Sequence, residues 1–333
     1  MSRLVFLDPF QETPPQHDDF ATTADLRGGA ISIGNFDGVH LGHRDLLKRV
    51  RRAADDEDGP ALAMVLDPHP TTILRPHSAA TPLTTIERRA ELMGKLGMDA
   101  LVVCRTSARL LDLTADAFFD TLILERLAVR AMVEGPNFFF GRDRGGDVRH
   151  LEARCRQSGV KLTIVKPQLH RERMISSTRI REQISAGEIE TATAMLGSEY
   201  RIHGKVIEGD QRGRTLGFPT ANLAEIATLL PAHGVYAGVA TIGAAESLQP
   251  VNRPFPAAIH IGPNPTFGMD SGTKVEVHLL GYDGNLYGQW VDVSLDSRIR
   301  TIRQFDSPES LRQQLTQDIA VVRDRIQPAP FQS

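Results

Sequence analysis

The sequence predicts an α/β domain followed by an all-β domain, and three observations carry that expectation. Between about residues 30 and 185, short apolar runs alternate with segments whose apolar residues recur at helical spacing. Beyond residue 197 the runs are split by Gly and Pro, with no helical segment between them. The length of 333 residues suits about two domains.

The runs of the first part are Ala30 to Ile33, Ala61 to Leu66, Ala100 to Val103, Ala131 to Val133 and Lys161 to Val165. Each is too short for a helix and reads as a strand. Between them Leu46, Leu47 and Val50, then Ala90, Leu92 and Met93, then Phe118, Phe119, Leu122 and Ile123 mark one apolar stripe per connecting helix. Strand and helix in alternation predict a parallel sheet with right-handed crossovers, whose ligands sit beyond the carboxyl ends of the strands. A helical stretch from Arg179 to Leu196, interrupted near Gly187, completes this part.

In the second part Tyr200 to Ile207, Val235 to Ile242, Ala257 to Ile261, Lys274 to Leu280 and Trp290 to Leu295 predict a β-sandwich or barrel. Ser307 before Pro308 and Glu309 predicts the start of a closing helix, because serine caps free amides and proline already holds a helical φ. Leu311, Leu315, Ile319 and Val322 form its packing face. The expected divisions are an N-terminal extension over residues 1–29, a first domain over 30–197 and a second over 198–333.

Composition narrows the function. A 41% hydrophobic share with 24% charged residues is that of an ordinary globular chain and excludes collagen-like and disordered classes. The net charge of -3 supplies no basic field for nucleic acid or an acidic membrane, so neither is an expected partner. Cys104 and Cys155 lack a CxxC spacing, which argues against a disulfide framework or structural zinc. Leu4 to Leu7 runs at once into Asp8 and Pro9, and no stretch reaches the length of a membrane span. A cytoplasmic protein is expected. Oligomeric state is not legible.

The most informative segment is ISIGNFDGVHLGHRDLL, Ile31 to Leu47, which leaves a strand, passes Gly34 and Gly38, and enters a helix with His40 and His43. Both imidazoles then lie at a strand's carboxyl end beside the positive end of a helix dipole, where an anion belongs. Gly42 removes a side chain between them. A four-residue H-x-G-H match alone fits a Gly-rich turn with two surface histidines equally well. ISSTRIR, Ile175 to Arg181, adds Ser176, Ser177 and Thr178 at a helix start with Arg179 and Arg181 just inside, groups that suit phosphate oxygens. The basic run Lys48 to Arg52 is followed by Asp55, Asp56, Glu57 and Asp58 and reads as a solvated helix face. In the second part GKVIEGDQRGRTLGFPTAN, Gly204 to Asn222, is a Gly-rich loop without the GKS or GKT of a P-loop. Pro219 biases Phe218 toward an extended conformation, so the oxygens of Thr220 and Asn222 point the same way and could serve Mg2+ when ATP brings the charge. On the run Lys274 to Leu280, Lys274, Glu276 and His278 share one face.

GNFDGVHLGH, DPHP (Asp67 to Pro70), GPNFFFGRDRGGD (Gly135 to Asp147) and ERMISSTRIR (Glu172 to Arg181) resemble the adenylyltransferase half of bacterial bifunctional riboflavin kinase/FAD synthetases. LGFPTAN, GVYA (Gly234 to Ala237), IGPNPTF (Ile261 to Phe267) and VEVHLLGYDGNLYGQ (Val275 to Gln289) resemble the riboflavin kinase half. A class I aminoacyl-tRNA synthetase would need a KMSKS-like loop, which is absent. The resemblance spans roughly residues 28 to 325 and implies a Rossmann-like nucleotidyltransferase domain, a riboflavin-kinase-like barrel and two ATP-using reactions, riboflavin to FMN and FMN to FAD. The implied ligands are riboflavin, FMN, FAD and ATP as co-substrate, with Mg2+. By the same resemblance His40 and His43 stabilise the α-phosphate transition state, and Gly34, Phe36, Asp37, Gly38, Gly42, Ser177, Thr178 and Arg181 hold ATP. Asn137, Phe140, Asp67, His69 and Pro70 contact the flavin nucleotide. In the kinase half Gly209, Arg214 and Gly217 approach ATP, Thr220 and Asn222 hold the metal, and Glu276 is the general base. The chain departs from the family pattern at Arg105-Thr106-Ser107, Gln211 and Ile302.

Overall fold

The computed structural model describes residues 2–11, 23–170, 173–209, 217–244, 247–250, 254–263 and 273–326. Its chain divides into two compact units, residues 1–80 with 86–176 and residues 81–85 with 177–333.

The first unit is built on a six-stranded sheet in the order β1-β4-β3-β2-β5-β6. The strands are β1 (Arg3–Leu7), β2 (Ala30–Ile33), β3 (Ala61–Asp67), β4 (Ala100–Arg105), β5 (Ala131–Glu134) and β6 (Lys161–Ile164), and a separate antiparallel pair, β7 (Leu169–His170) and β8 (Arg173–Met174), follows. Every pairing within the six-stranded sheet is parallel. Ile31, Ile33, Leu62 and Met64 pack on one side, and Ala30, Ala61, Ala63 and Val65 on the other. Burial on both faces explains why these strands read as continuous apolar runs. Among the connecting helices are α1 (Leu41–Asp56), α2 (Pro70–Leu74), α3 (Ile86–Gly94), α4 (Ala108–Leu111), α5 (Ala115–Phe118) and α6 (Val148–Ser158).

Two details differ from expectation. Residues Arg3–Leu7, within the expected N-terminal extension, pair with β4 as an edge strand; five residues entering at once into Asp8 and Pro9 carry too little pattern to announce it. The stripe from Phe118 to Ile123 continues α5 as wide π-type turns over Phe119–Arg126 rather than as a regular helix. The basic run of α1 behaves as expected: Arg49 pairs with Asp45, and Arg51 pairs with Asp55 and Asp99.

In the second unit α7 (Ser177–Ala186) and α8 (Ile189–Leu196) precede β9 (Tyr200–Ile207), β10 (Ala221–Ala224), β11 (Gly234–Ala244), β12 (Ser247–Pro250), β13 (Phe255–Gly262), β14 (Lys274–Leu279) and β15 (Trp290–Arg300). The order β11-β13-β14-β10-β9-β15, with β15 pairing back to β11, closes an antiparallel barrel, and β12 adds to β11 outside the ring. The strands β10 and β12, four residues each, were not expected, because such short runs show almost no alternation. In packing, α8 goes with β9 and β15, although it precedes the boundary drawn at residue 197. Residues 81–85 join this unit too, with Leu83 fully buried and Leu229 N–H donating to the Pro82 carbonyl at 2.8 Å.

The closing helix α9 (Pro308–Arg325) starts at the expected Ser307, whose side chain accepts the Ser310 N–H at 3.1 Å in a capping box. Ile319, Val322 and Ile326 pack with Ala237 and Leu280 of the barrel. Arg300 Nε reaches both oxygens of the buried Asp318 at 3.0 Å and ties α9 to β15.

Candidate active sites

In the first unit the strand order reverses between β2 and β5, and a cleft of about 750 Å³ opens there. Ligands of open α/β sheets bind at such a switch point. The chain leaves β2 at Gly34 and enters α1 through His40, the N-cap residue. His40 Nδ1 accepts the His43 backbone N–H at 3.3 Å, so the ring's proton resides on Nε2. Burial pushes the His40 pKa down to about 4, against smaller upward pulls from a backbone hydrogen bond and from Asp37. His43 stacks on it, ring centroids 3.5 Å apart. Burial first, then His40 and Arg89, hold its pKa well below the ordinary value. Both rings are therefore neutral near pH 7, able to offer a hydrogen bond but not a positive charge. His43 Nδ1 is buried without a partner among the described residues, an orphaned atom in the cleft wall.

Gly42 gives the stacked rings room, since a Cβ there would stand 3.2 Å from His40 Cε1. Asp37 is buried at 1% exposure and paired with Arg89 Nη2 at 3.1 Å, while Arg89 Nη1 also reaches the Asn35 carbonyl at 3.1 Å. The loop before α1 is thus held from behind.

Lys166, Arg75 and Arg144 bring positive charge to the cleft wall. Asp143 and Arg144 hold left-handed φ of 53° and 59°, and the Arg144 guanidinium lies 4.3 Å from the centroid of the Phe139 ring. Non-glycine residues in that region cost about 1–3 kcal/mol each and gather at functional sites. Leu74, Phe139 and Met174 line the same cleft while remaining exposed, an apolar rim beside the phosphate-suited floor.

In the barrel, strand register assembles the second site. Asn222 of β10 pairs with Glu276 of β14, and Glu276 pairs on its other side with His260 of β13. The three side chains stand in a row on one face, opposite the buried Val275, Val277 and Leu279. His260 Nε2–H donates to the Pro263 carbonyl at 3.3 Å; burial lowers its pKa, and Glu276 pulls it back up. His278 Nδ1–H donates to the Pro219 carbonyl at 2.7 Å and anchors the segment leading to Thr220 and Asn222. The Asn222 amide occupies space that only a glycine at 209 leaves open, since a Cβ there would lie 2.1 Å from Asn222 Nδ2.

Comparison with known proteins agrees with this geometry. The FAD synthetase family matches residues 22–179, and the riboflavin kinase family matches residues 196–326. The bifunctional riboflavin kinase/FMN adenylyltransferase of Escherichia coli (strain K12) is 32% identical over 301 residues, 90% of this chain and 94% of its own. This chain belongs to that bifunctional family. A relative of the same name from Listeria monocytogenes is 34% identical over 290 residues, 86% of this chain and 89% of its own. A solved structure described as a macrolide-efflux protein from Streptococcus pneumoniae shares the fold, with a TM-score of 0.81, 28% identity and coverage of 97% of this chain and 99% of that one. Among the described residues no helix is long and apolar enough to cross a membrane.

The bifunctional family's motifs fall on the structure unevenly. Gly34, Phe36, His40, Gly42, His43, His69, Pro70 and Asn137 share the cleft wall. Asp37, Gly38, Asp67 and Phe140 are not part of it. Phe140 is buried in the core against Phe118 and Phe138, which leaves Phe138 and Phe139 as the aromatic residues that this motif brings to the cleft. Ser177, Thr178 and Arg181 open α7 in the second unit, where Arg181 Nε donates to the Thr81 carbonyl at 2.9 Å. Gly217 is exposed with a left-handed φ of 87°, and Arg214 and Gln211 lie outside the described residues. The departure at Arg105-Thr106-Ser107 ends β4 and caps α4, with Leu110 N–H donating to Ser107 Oγ at 3.2 Å. Ile302 stands against Gly262, at the end of the strand that carries His260.

Sequence reasoning passed over Glu134 and Lys166, which line the cleft, and His260, which stands beside Glu276. Glu134 had a signal, an acid closing the apolar run Ala131 to Val133 at a strand's carboxyl end. His260 had none, because its neighbour across the sheet is 16 residues away and only register joins them.

Proposed function

We propose that residues 30–197 adenylylate FMN and residues 198–333 phosphorylate riboflavin, each with ATP, through the residues described above. The observation that carries this reading is that each unit holds its own reactive groups, neutral stacked imidazoles in one and a carboxylate flanked by Asn222 and His260 in the other.

In the cleft an FMN phosphate oxygen attacks the α-phosphorus of ATP, forming the new P–O bond while the α–β bond breaks and pyrophosphate leaves. Charge grows on the α-phosphate oxygens. His40 Nε2–H donates to them without ion-pair competition, because the ring is neutral, and His43 acts beside it from the same helix start. The positive end of α1 adds to the same field. Ser177, Thr178 and Arg181 are assigned to the triphosphate by the resemblance of ERMISSTRIR alone. The isoalloxazine ring suits the apolar rim of Leu74, Phe139 and Met174.

In the barrel Glu276 takes the proton from the ribityl hydroxyl as its oxygen attacks the γ-phosphorus of ATP, and ADP leaves. Asn222 stands directly across the strand pair, so acceptor and phosphate meet at one face. Mg2+ fits the donor set of Thr220 and Asn222, which are neutral oxygens two residues apart, and the room for the amide at Gly209 supports a ligand role. When bound it would offset phosphate charge. We also infer a cytoplasmic location, supported by two buried cysteines that are not disulfide-linked. The expected partners remain small molecules, not nucleic acid or membrane.

Incubation of the full chain with riboflavin and MgATP, with separation of the flavins over time, tests the reading. FMN should appear first and FAD second, with pyrophosphate released in step with FAD. A protein that makes FAD from FMN but no FMN from riboflavin would overturn the kinase half, and the converse the adenylyltransferase half.

A further inference from the structure

The floor of the first cleft holds a carboxyl group that the chemistry above does not use. Glu134 ends β5 beside β2, where the strand order reverses, and it lines the cleft with only 2% of its surface exposed. Its Oε1 accepts the Ile33 N–H at 2.7 Å, and its Oε2 stands 3.4 Å from Ser32 Oγ. No ion pair reaches it among the described residues. A carboxylate buried without a cation is costly, and such a group keeps its proton instead. Burial accordingly pushes the Glu134 pKa well above the carboxylate range, outweighing the two hydrogen bonds.

The geometry also says which oxygen carries that proton. Oε1 is the carbonyl oxygen, because it already accepts a short bond from Ile33. The hydroxyl is then Oε2, and 3.4 Å to Ser32 is the long limit of a hydrogen bond, which leaves it available to a ligand. An ionised carboxylate on this floor would repel phosphate; a carboxylic acid presents a donor to it.

We propose that Glu134 is an uncharged hydrogen-bond donor to an oxygen of the ATP bound in this cleft, a positioning residue for adenylylation. The proposal rests on the reading that the cleft binds ATP. ATP is favoured over FMN because Ser32 and Ile33, which hold the carboxyl, lead directly into Gly34 and the segment of His40 and His43. His69 and Pro70, on the flavin side, follow β3 instead.

Other titratable groups also stand near the cleft. His40 and His43 from α1 are already neutral. Cys155 of α6, which feels the Glu134 charge, is pushed up to about 11. Asp143 and Arg144 after β5, Lys166 after β6, and His69 and Arg75 around α2 also face the cleft.

The test uses the full chain and its Glu134→Gln and Glu134→Val variants. FAD formation from FMN is measured across MgATP and FMN concentrations at about pH 7 and about pH 9, with riboflavin phosphorylation as the internal control. Glutamine keeps shape, donor and acceptor but cannot ionise. It should hold the ATP KM within about threefold of the parent at neutral pH and keep it flat to alkaline pH, so that any alkaline rise due to ionisation of this group is confined to the parent. Valine should raise the ATP KM by about tenfold at neutral pH while moving the FMN KM by less than about threefold. An ATP KM raised by about tenfold or more in Glu134→Gln at neutral pH would overturn the proposal, because the uncharged isostere should replace an uncharged acid. So would an unchanged ATP KM in Glu134→Val, or a rise confined to FMN. If the parent phosphorylates riboflavin but forms no FAD, the reading of the cleft has failed instead, and the two failures are distinguishable.

Discussion

The cleft and the barrel both handle phosphate, but they assemble their reactive groups by different means. In the cleft one helix start supplies both imidazoles, three residues apart, and burial holds them neutral. In the barrel Asn222, Glu276 and His260 come from three strands and meet only through register. A one-residue slip of β14 would turn Glu276 from its present face to the other. The first site is therefore robust to sheet geometry and sensitive to desolvation, and the second is the reverse.

The sharpest way to break this comparison is to remove one group from each site and ask whether the loss stays in its own unit. Glu276→Gln should lower riboflavin phosphorylation by about 100- to 10,000-fold, toward the lower end because phosphoryl transfer depends mostly on positioning, while FAD formation from FMN is retained. Glutamine can still hydrogen-bond the ribityl hydroxyl, but it cannot accept the proton. Near-normal turnover at saturating substrate would return Glu276 to an ordinary exposed-strand carboxylate. His43→Ala should lower FAD formation by about 100- to 1000-fold, the usual effect of losing one transition-state donor, with kinase activity kept. A parallel fall in both activities of a folded variant would show that the two sites are not separate.

The same contrast explains what could be read in advance. The cleft was legible because its key residues are contiguous: GNFDGVHLGH carries the strand end, the loop, the helix cap and both imidazoles in one segment. The second unit was legible as a barrel, yet β10 passed unseen because ANLA offers only four residues of pattern, and its value lies in pairing Asn222 with Glu276. Asp37 and Phe140 show a different limit, in which the motif residue lies buried behind the cleft wall. No local pattern separates such a residue from one that lines the cleft. Burial does, and burial is set by the whole unit.

Acid should affect the cleft through its neutral imidazoles. His40 has an ordinary value of 6.5 when unfolded and about 4 when folded, so the fold favours the neutral ring. The sign follows: its contribution is present above about pH 6.5 and is lost as pH falls toward about 4, on the order of 3 kcal/mol for this one group. Glu134, with its raised pKa, works the other way, since its contribution is present at low pH and fades as pH rises above the ordinary carboxylate value. Urea unfolding of the parent and His40→Gln at about pH 7 and about pH 4.5 measures the first effect. The variant should lose less stability across that interval, and equal losses would mean that His40 is not held neutral by the fold.

The finest comparison sets one glycine against another. At Gly209 an added Cβ would fall 2.1 Å from Asn222 Nδ2 and 2.5 Å from Cγ, a distance at which the amide must leave its place. At Gly42 it would fall 3.2 Å from His40 Cε1 and 3.3 Å from Nδ1, so the imidazole has to give by only a few tenths of an ångström. Alanine is also favoured over glycine inside α1 by roughly 1 kcal/mol, which offsets part of that strain. Gly209→Ala should therefore raise the kinase KM for MgATP by about tenfold, the equivalent of one displaced polar contact, with partial rescue at higher magnesium because a ligand and not the base has moved. Gly42→Ala should lower FAD formation by less than about tenfold and leave the kinase alone. Measuring both activities in both variants decides the matter. If Gly209→Ala is silent, the Asn222 amide does not hold the metal from its present position; if Gly42→Ala is the more damaging of the two, the stacked imidazoles tolerate less displacement than their separation suggests.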